Sequence, residues 1–313
     1  IFKEIAENGE NIYKKFKNNA GPVAYQNKAI AWPYEPGSAF KPIVMAIGLD
    51  DHELTPNTTF FDGGPIQVDE FEIHNSTDDY YGWTTMTMVL DKSLNTGMAF
   101  VARTIGRTLF GSYLKKFGFG ERTDIEFLNE HSGKIEHYSQ WAESELVTHA
   151  FGQGLTVTPI QLANAYCAIA NGGVLMQPYI VSEIRKKDGK VVKTEPNKVR
   201  RVISEQTSST LSAMLVSAVE NGVANAAQVP YHYVAGKTGT SQTYKWGKPL
   251  VGAGTTLTSF AGYGPIDNPR FVVIVKLEHP RSSEWGAQTA APLFKDIARY
   301  LFNYYNIPPD KDY

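Results

Sequence analysis

The chain of 313 residues has a single cysteine, Cys167, so no internal disulfide can form. It lies in the apolar run Ala165-Tyr166-Cys167-Ala168-Ile169-Ala170, where a buried structural thiol is expected rather than a nucleophile. A chain without disulfides is compatible with any redox compartment. No apolar stretch approaches the roughly 18 residues that would span a bilayer, and no secretory leader opens the chain. The opening Ile1-Phe2-Lys3-Glu4 does not read as a natural start, so upstream sequence is expected. Charge of one sign is lacking too: 30 Lys and Arg face 32 Asp and Glu, for a net −2. That balance argues against a nucleic-acid partner and against an acidic disordered tail. The densest basic stretch, Lys186-Lys187-Asp188-Gly189-Lys190, reads as a solvated hairpin turn because Asp-Gly is a turn dipeptide.

The seven histidines, among them His131, His137 and His149, form no His-Glu-x-x-His and no cluster at metal-ligand spacing, so neither metal nor cofactor is expected. Gly118 and Gly120 lack a third glycine and a preceding strand, which excludes a dinucleotide loop. The aromatic group Tyr80, Tyr81 and Trp83 is expected to pack rather than to rim a cleft.

What is present is enough apolar residue, 42%, to build a substantial core. Residues 1–37 are mixed and turn-rich. A helix is expected from Ser38 to about Gly48, with Pro42 tolerated in its first turn, where backbone N–H groups lack intrahelical partners. Residues 50–84 read as loop with short strands, and Met86 to Phe117 as two or three short helices broken by glycines. Leu155 to Ala170 reads as a helix stopped by Asn171-Gly172-Gly173, and 178–195 as a hairpin. Leu211, Met214, Leu215, Ala218 and Val219 form a helical stripe within Ser204–Glu220. The last third changes character: Tyr231–Thr243, Thr256–Gly264 and Arg270–Glu278 read as an antiparallel meander. A helix whose apolar face is Leu293, Phe294, Ile297, Ala298, Leu301 and Phe302 follows and should pack on that sheet. The expected fold is α/β in the α+β sense, an antiparallel sheet flanked by helices with an inserted, mainly helical part. The sheet-bearing part is placed at about 1–60 and 200–313, the helical part at about 61–200.

Three short motifs stand in order: Ser38-Ala39-Phe40-Lys41, Ser93-Leu94-Asn95 and Lys237-Thr238-Gly239-Thr240. Ser38 and Lys41, three apart at a helix start, share one face. A serine hydroxyl needs a nearby base. Lysine serves as one only when neutral, a state favoured by burial and by a second cation, for which Lys237 is the candidate. Ser93 and Asn95 can address one cleft: the hydroxyl can relay a proton, and the amide can hold both Lys41 and a substrate backbone. Gly239, lacking a side chain, lets a substrate strand approach. The N–H groups of Ser38 and Thr240 are candidate oxyanion donors, and the Thr238 and Thr240 hydroxyls with Lys237 suit a terminal carboxylate. Ser-x-x-Lys and Ser-x-Asn each occur by chance roughly once in a chain this long, whereas Lys-Thr-Gly-Ser/Thr occurs about once per several tens of thousands of residues. The ordered set is what carries information.

The set resembles the active-site serine penicillin-recognising enzymes. The stretch Tyr34-Glu35-Pro36-Gly37-Ser38-Ala39-Phe40-Lys41-Pro42 is similar to the nucleophile segment of class B penicillin-binding proteins. Lys116-Phe117-Gly118-Phe119-Gly120, Gly152-Gln153-Gly154 with Thr158-Pro159 and Gln161, Ala170-Asn171-Gly172-Gly173, and Ala235-Gly236 ahead of Lys237 resemble further family segments. So do Ser259-Phe260-Ala261-Gly262-Tyr263-Gly264-Pro265 and Ala290-Ala291-Pro292-Leu293-Phe294-Lys295, which lean toward the division-associated branch. The resemblance covers about residues 28–309. It implies a penicillin-binding transpeptidase fold and D,D-transpeptidation on peptidoglycan stem peptides ending in D-Ala-D-Ala. It also implies acylation by β-lactam antibiotics, a partner glycosyltransferase, and an extracytoplasmic domain anchored by an N-terminal transmembrane segment. Two departures stand out. The two strands the family carries just upstream of the nucleophile segment are not found, so either they were lost with the start of the chain or the sheet is incomplete. Gly222-Val223-Ala224 replaces the usual Gly-Thr, so one contact is expected to be lost. Two other readings compete: a β-lactamase or carboxypeptidase, for which Glu126-Phe127-Leu128-Asn129 is one residue short of Glu-x-x-Leu-Asn and Asn95 is the wrong residue for class D; and a penicillin-sensing scaffold, disfavoured by three intact motifs.

Overall fold

The computed structural model describes residues 26–245 and 248–311. The question of sheet strands ahead of the nucleophile segment, and most of the turn-rich opening, fall on residues 1–25, outside the described residues.

The late β-rich runs form the sheet. β1 (Ala235–Gln242), β2 (Thr256–Gly264) and β3 (Phe271–Glu278) pair antiparallel in the order β1-β2-β3. The β1–β2 register sets Lys237 opposite Ala261, Gly239 opposite Ser259 and Thr240 opposite Thr258. β2 is buried along nearly its whole length, as a central strand covered on both faces must be. The C-terminal helix Ala290–Tyr304 covers one face. Its stripe Phe294, Ala298 and Phe302 is fully buried, and Phe294 stacks against Phe260 of β2 at 4.4 Å.

The nucleophile turn packs against β1 and β2 and leads into a buried helix. A 3-10 turn, Gly37–Phe40, runs directly into α1 (Lys41–Asp50), with Pro42 in the first turn. Every residue of α1 from Lys41 to Leu49 is buried, which its near-unbroken apolar sequence requires of a helix surrounded on all sides. Burying Ile43, Val44, Met45 and Ile47 contributes about 1.5–3 kcal/mol each. α2 (Met86–Asp91) and α3 (Asn95–Lys116) follow; α3 packs on α1 and is interrupted at Gly106, whose φ of 71° breaks the helical ladder. α4 (Glu143–Ala150) packs on α3, α5 (Pro159–Ala170) reaches β3, and α6 (Glu205–Glu220) lies against both α1 and β1.

The expected helix from Leu155 is shorter: Thr156 and Val157 form single bridges to Lys134 and Tyr34, and the helix starts only at Pro159. Thr158 is its N-cap, in a reciprocal pair with Gln161, and the Gln161 amide also donates to Glu121 and Ser132 carbonyls. The Thr-Pro-x-Gln string is therefore a helix-start device. The packing expected of Trp83 is not observed. It is 73% exposed and meets Phe61, itself 60% exposed, edge-on at 5.6 Å. Cys167 is half-buried rather than sealed in the core as expected, and the partial burial still pushes its thiol pKa up to about 11.

Candidate active site

Ser38 sits inside the 3-10 turn, half-exposed, one helical turn before Lys41, which is completely buried. Its N–H lies at the start of the turn, where no intrahelical acceptor exists. The turn is held from two sides. The Gly37 N–H donates to the Gly152 carbonyl at 3.0 Å. Gly152 has a φ of 78°, and a Cβ there would lie 2.2 Å from the Gly37 oxygen, so only glycine fits. On the other side a Cβ on Gly37 would meet the Thr240 carbonyl at 2.5 Å. Strand β1 and the Gly152–Gly154 loop thus clamp the turn between them. Glu35 completes the clamp: its carboxylate accepts the Gly154 N–H at 3.1 Å, while its backbone carbonyl accepts the Ser241 hydroxyl at 2.6 Å. Burial raises the Glu35 carboxyl, and the Gly154 N–H partly offsets this. Behind the loop, buried His149 lies 3.2 Å from the Gly154 carbonyl through Nε2, its pKa lowered by burial.

Lys41 Nζ lies 2.6 Å from the Ser93 carbonyl, 2.9 Å from Asn95 Oδ1 and 3.2 Å from Ser93 Oγ. Two of these partners can only accept, so they take two N–H bonds; the third is a hydroxyl that can donate. A neutral amine, with two donors and one lone pair, fits that set. Burial, followed by the Lys237 charge, holds the Lys41 pKa well below the usual lysine value. The Ser38 hydroxyl is not among the partners of Lys41 in this arrangement.

Lys237, also completely buried, approaches the same hydroxyl from β1: Nζ lies 2.8 Å from Ser93 Oγ and 3.3 Å from Thr238 Oγ1. Burial lowers its pKa to about 7. Ser93 therefore sits between two amines, able to accept from one while donating to the other. Its backbone is in the left-handed region, φ 58°, uncommon for serine and costly. The Lys41–Ser93 carbonyl bond and the Leu94 N–H to Val89 carbonyl bond at 2.9 Å hold it there.

Asn95 is fixed at both ends of its amide. Nδ2 donates to the His74 carbonyl at 2.9 Å, which turns Oδ1 toward Lys41. Its backbone N–H donates to Asn75 Oδ1 at 2.9 Å. Asn75 Oδ1 also accepts from Thr96, and Asp62 accepts from Asn75, Thr96 and the Tyr81 N–H, all within the protein interior. Asn75 and Asp62 were invisible in sequence: no spacing rule ties them to Asn95, 20 and 33 residues away, and the pairing exists only after the chain folds back.

Thr238 is 6% exposed, whereas Thr240 lines a cleft of about 530 Å³ with Asn95, Gln153 and Trp285. Thr240 Oγ1 accepts the Gly286 N–H at 3.1 Å, leaving its own O–H free to donate. Lys237 and Thr238 are sealed beneath, so Thr240 is the threonine of this strand that faces the cleft. The glycine at 239 also has a reason within the protein itself. A Cβ there would lie 2.3 Å from Ser259 Oγ and 2.8 Å from the Pro36 carbonyl, so its absence admits the chain's own nucleophile segment. The Gly222-Val223-Ala224 departure also gains a context: the Val223 N–H donates to the Asp91 carbonyl at 2.9 Å, and the Val223 side chain is 40% exposed. Glu126 belongs elsewhere, accepting the Ile180 N–H at 3.0 Å. Among the described residues no group of His, Cys, Asp and Glu could hold a metal ion.

Residues 5–299 match the family described as penicillin binding protein transpeptidase domain. The chain belongs to that family. It is 35% identical over 298 residues to stage V sporulation protein D of Bacillus subtilis, covering 93% of this chain and 46% of that protein. It is 34% identical to penicillin-binding protein PbpB of Mycobacterium tuberculosis, covering 91% and 43%. The chain thus spans about half the length of the curated relatives it matches. Among solved structures, the transpeptidase domain of Burkholderia pseudomallei penicillin-binding protein 3 superposes with a TM-score of 0.82 at 30% identity, covering 92% of this chain and 85% of that one. Penicillin-binding protein 3 of M. tuberculosis in complex with aztreonam gives 0.85 at 30% identity, covering 97% and 68%. The antiparallel sheet with its helical cover is the fold of these transpeptidase domains.

Proposed function

We propose that this domain is a peptidoglycan D,D-transpeptidase, a serine acyltransferase that cross-links cell-wall stem peptides and is itself acylated by β-lactams. The observation that carries this reading is the convergence of two fully buried lysines on the Ser93 hydroxyl, one of them, Lys41, a single helical turn after Ser38.

In the first step Ser38 Oγ bonds to the carbonyl carbon of the penultimate D-Ala as its proton passes to neutral Lys41. The oxyanion is met by the N–H groups of Ser38 and Thr240. The proton then moves through Ser93 to the departing nitrogen, the C–N bond breaks, and the terminal D-Ala leaves. In the second step an amine from a neighbouring stem peptide attacks the ester, gives up a proton by the same route, and returns Ser38 to the hydroxyl form. Asn95 holds Lys41 and offers its amide to the substrate backbone; Thr238, Thr240 and the charge of Lys237 receive the carboxylate. No cofactor enters. The M. tuberculosis complex with aztreonam supports the β-lactam part of the reading. The proposal includes an extracytoplasmic location, a membrane anchor outside this segment and a glycosyltransferase partner, as the family resemblance implies.

Intact mass after benzylpenicillin treatment tests the reading. A one-to-one adduct mapping to Ser38, absent from Ser38→Ala, is expected; an adduct elsewhere, or none, overturns it. Rapid loss of the adduct to water would favour a hydrolase instead.

A further inference from the structure

Two amines share one hydroxyl at the centre of the site, and although the contacts of Lys41 suit a neutral amine, no carboxylate touches either lysine to hold the charge on its partner. Lys41 and Lys237 are equally buried, and Ser93 Oγ is common to both. If both were ammonium, their repulsion at this separation in a dry interior would be large; if both were neutral, no cation would face a substrate carboxylate. The lysines' hydrogen-bond partners are carbonyl and hydroxyl oxygens, none of them a carboxylate.

A carboxylate does stand just behind them. Asp91 ends α2, two residues before Ser93, and is only 8% exposed. Its Oδ2 accepts the Ser217 hydroxyl of α6 at 3.0 Å, and its Oδ1 has no hydrogen-bond partner. A buried carboxylate oxygen left without a donor is expensive unless a nearby cation compensates it. The elements packed against α2 are α6, α3 and the strand Gly82–Thr85. Of the charged groups these supply, Glu220 at the end of α6 is taken by Lys311, and Arg103 of α3 by Glu143. Burial raises the Asp91 carboxyl, and the Ser217 hydroxyl, then Lys92 in the turn that follows α2 and Lys237 of β1, counter that effect.

We infer that Asp91 is a positioning residue whose buried carboxylate assigns the shared proton of the lysine pair to Lys237 and so leaves Lys41 free as the base. The asymmetry of the site supports this. Asp91 raises the proton affinity of Lys237 against the larger effect of burial, while Lys41 feels burial and the Lys237 charge. One backbone stretch then carries both the carboxylate that selects the charged lysine and, two residues on, the hydroxyl through which the lysines communicate. The Gly222–Val223 turn locks that stretch in place: the Val223 N–H donates to the Asp91 carbonyl, and a Cβ on Gly222 would lie 2.4 Å from the same oxygen.

This inference rests on the transpeptidase reading, and the test separates the two. The second-order rate of acylation by a fluorescent penicillin is followed against pH for the wild type, Asp91→Asn, Asp91→Ser and Asp91→Glu, with thermal melts as the check on folding. In Asp91→Asn and Asp91→Ser the alkaline limb, where Lys237 loses its proton, is expected to move down by roughly one pH unit. Asp91→Glu, which keeps the charge, is expected to leave the limb at its wild-type position. If folded Asp91→Asn or Asp91→Ser loses rate while its profile superposes on the wild type, Asp91 acts only through structure and the assignment is overturned. If neither charge-removing variant folds, the residue is a folding element and the assignment is likewise overturned. A wild type that is not acylated at all counts against the transpeptidase reading instead.

Discussion

Lys41 and Lys237 come from segments 196 positions apart, yet their amino groups lie 3.2 and 2.8 Å from the same Ser93 oxygen. Each is a side chain that rarely tolerates complete burial, and here both are buried in one site. Such an arrangement sacrifices stability for chemistry, and the two can be separated experimentally.

Replacing Lys41 by alanine removes the base and its grip on Ser93. Acylation by a fluorescent penicillin should fall by about 10²–10⁴-fold, while the melting temperature stays near the wild-type value because no buried amine remains to be desolvated. Stopped-flow fluorescence and a thermal melt check both halves. Robust labelling of the variant would remove Lys41 from the role of base.

The depressed pKa of Lys237 makes a signed prediction about stability. Between about pH 7 and the unfolded lysine value of about 10.4, the unfolded chain holds this proton and the native chain has lost it. Stability from this group therefore rises with pH across that window. Lys237→Met should flatten the rise and raise stability at pH 7 by a few kcal/mol, on the order set by the shift. Urea unfolding at pH 7 and pH 9 measures it. A wild-type curve without pH dependence beyond that of the variant would contradict the assignment.

Asn75 supplies the acceptor for the Asn95 and Thr96 N–H groups and for the Thr96 hydroxyl. Asn75→Ala leaves buried donors unpaired and should cost about 2–4 kcal/mol, with acylation reduced as Asn95 loses its anchor. Chemical denaturation and acylation kinetics on the same preparation report the two effects. Unchanged acylation would show that Asn95 is held by His74 alone.

Gly152 has no room for a side chain: its φ is 78° and the Gly37 carbonyl fills the Cβ position. Gly152→Ala should push the nucleophile turn away from the loop and reduce acylation by at least about tenfold, on the scale of a displaced reacting group. Penicillin labelling kinetics, with circular dichroism to show that the fold persists, provide the check.

The Glu35 carboxyl is raised by burial and bonded to the Gly154 N–H. Glu35→Gln keeps an acceptor for that N–H but removes the charge. Acylation at neutral pH should stay within about threefold of wild type, whereas Glu35→Ala, which loses the acceptor, should fall further. Equal losses in both variants would mean that charge, not the hydrogen bond, is what the turn requires.

Much of this molecule is written in local sequence. The strands Thr256–Gly264 and Phe271–Glu278, the α6 stripe and the amphipathic C-terminal helix follow from periodicity, which depends only on neighbours within a turn or a pleat. The three motifs name the residues with catalytic chemistry because Ser, Lys and Asn at those spacings have few other uses together. The sequence alone also marks Gly37, Gly152 and Gly239 as special.

Tertiary structure decided the rest. Only the fold shows that the glycine at 239 makes room for Pro36 and Ser259, since a close approach has no signature in the sequence of one partner. Only the fold buries both lysines and joins them through Ser93, because burial and proton affinity are properties of the surroundings. The Asp62–Asn75–Thr96 network and the Asp91 carboxylate belong to the same class. Their hydrogen bonds and fields act through space, across chain separations on which residue spacing carries no information.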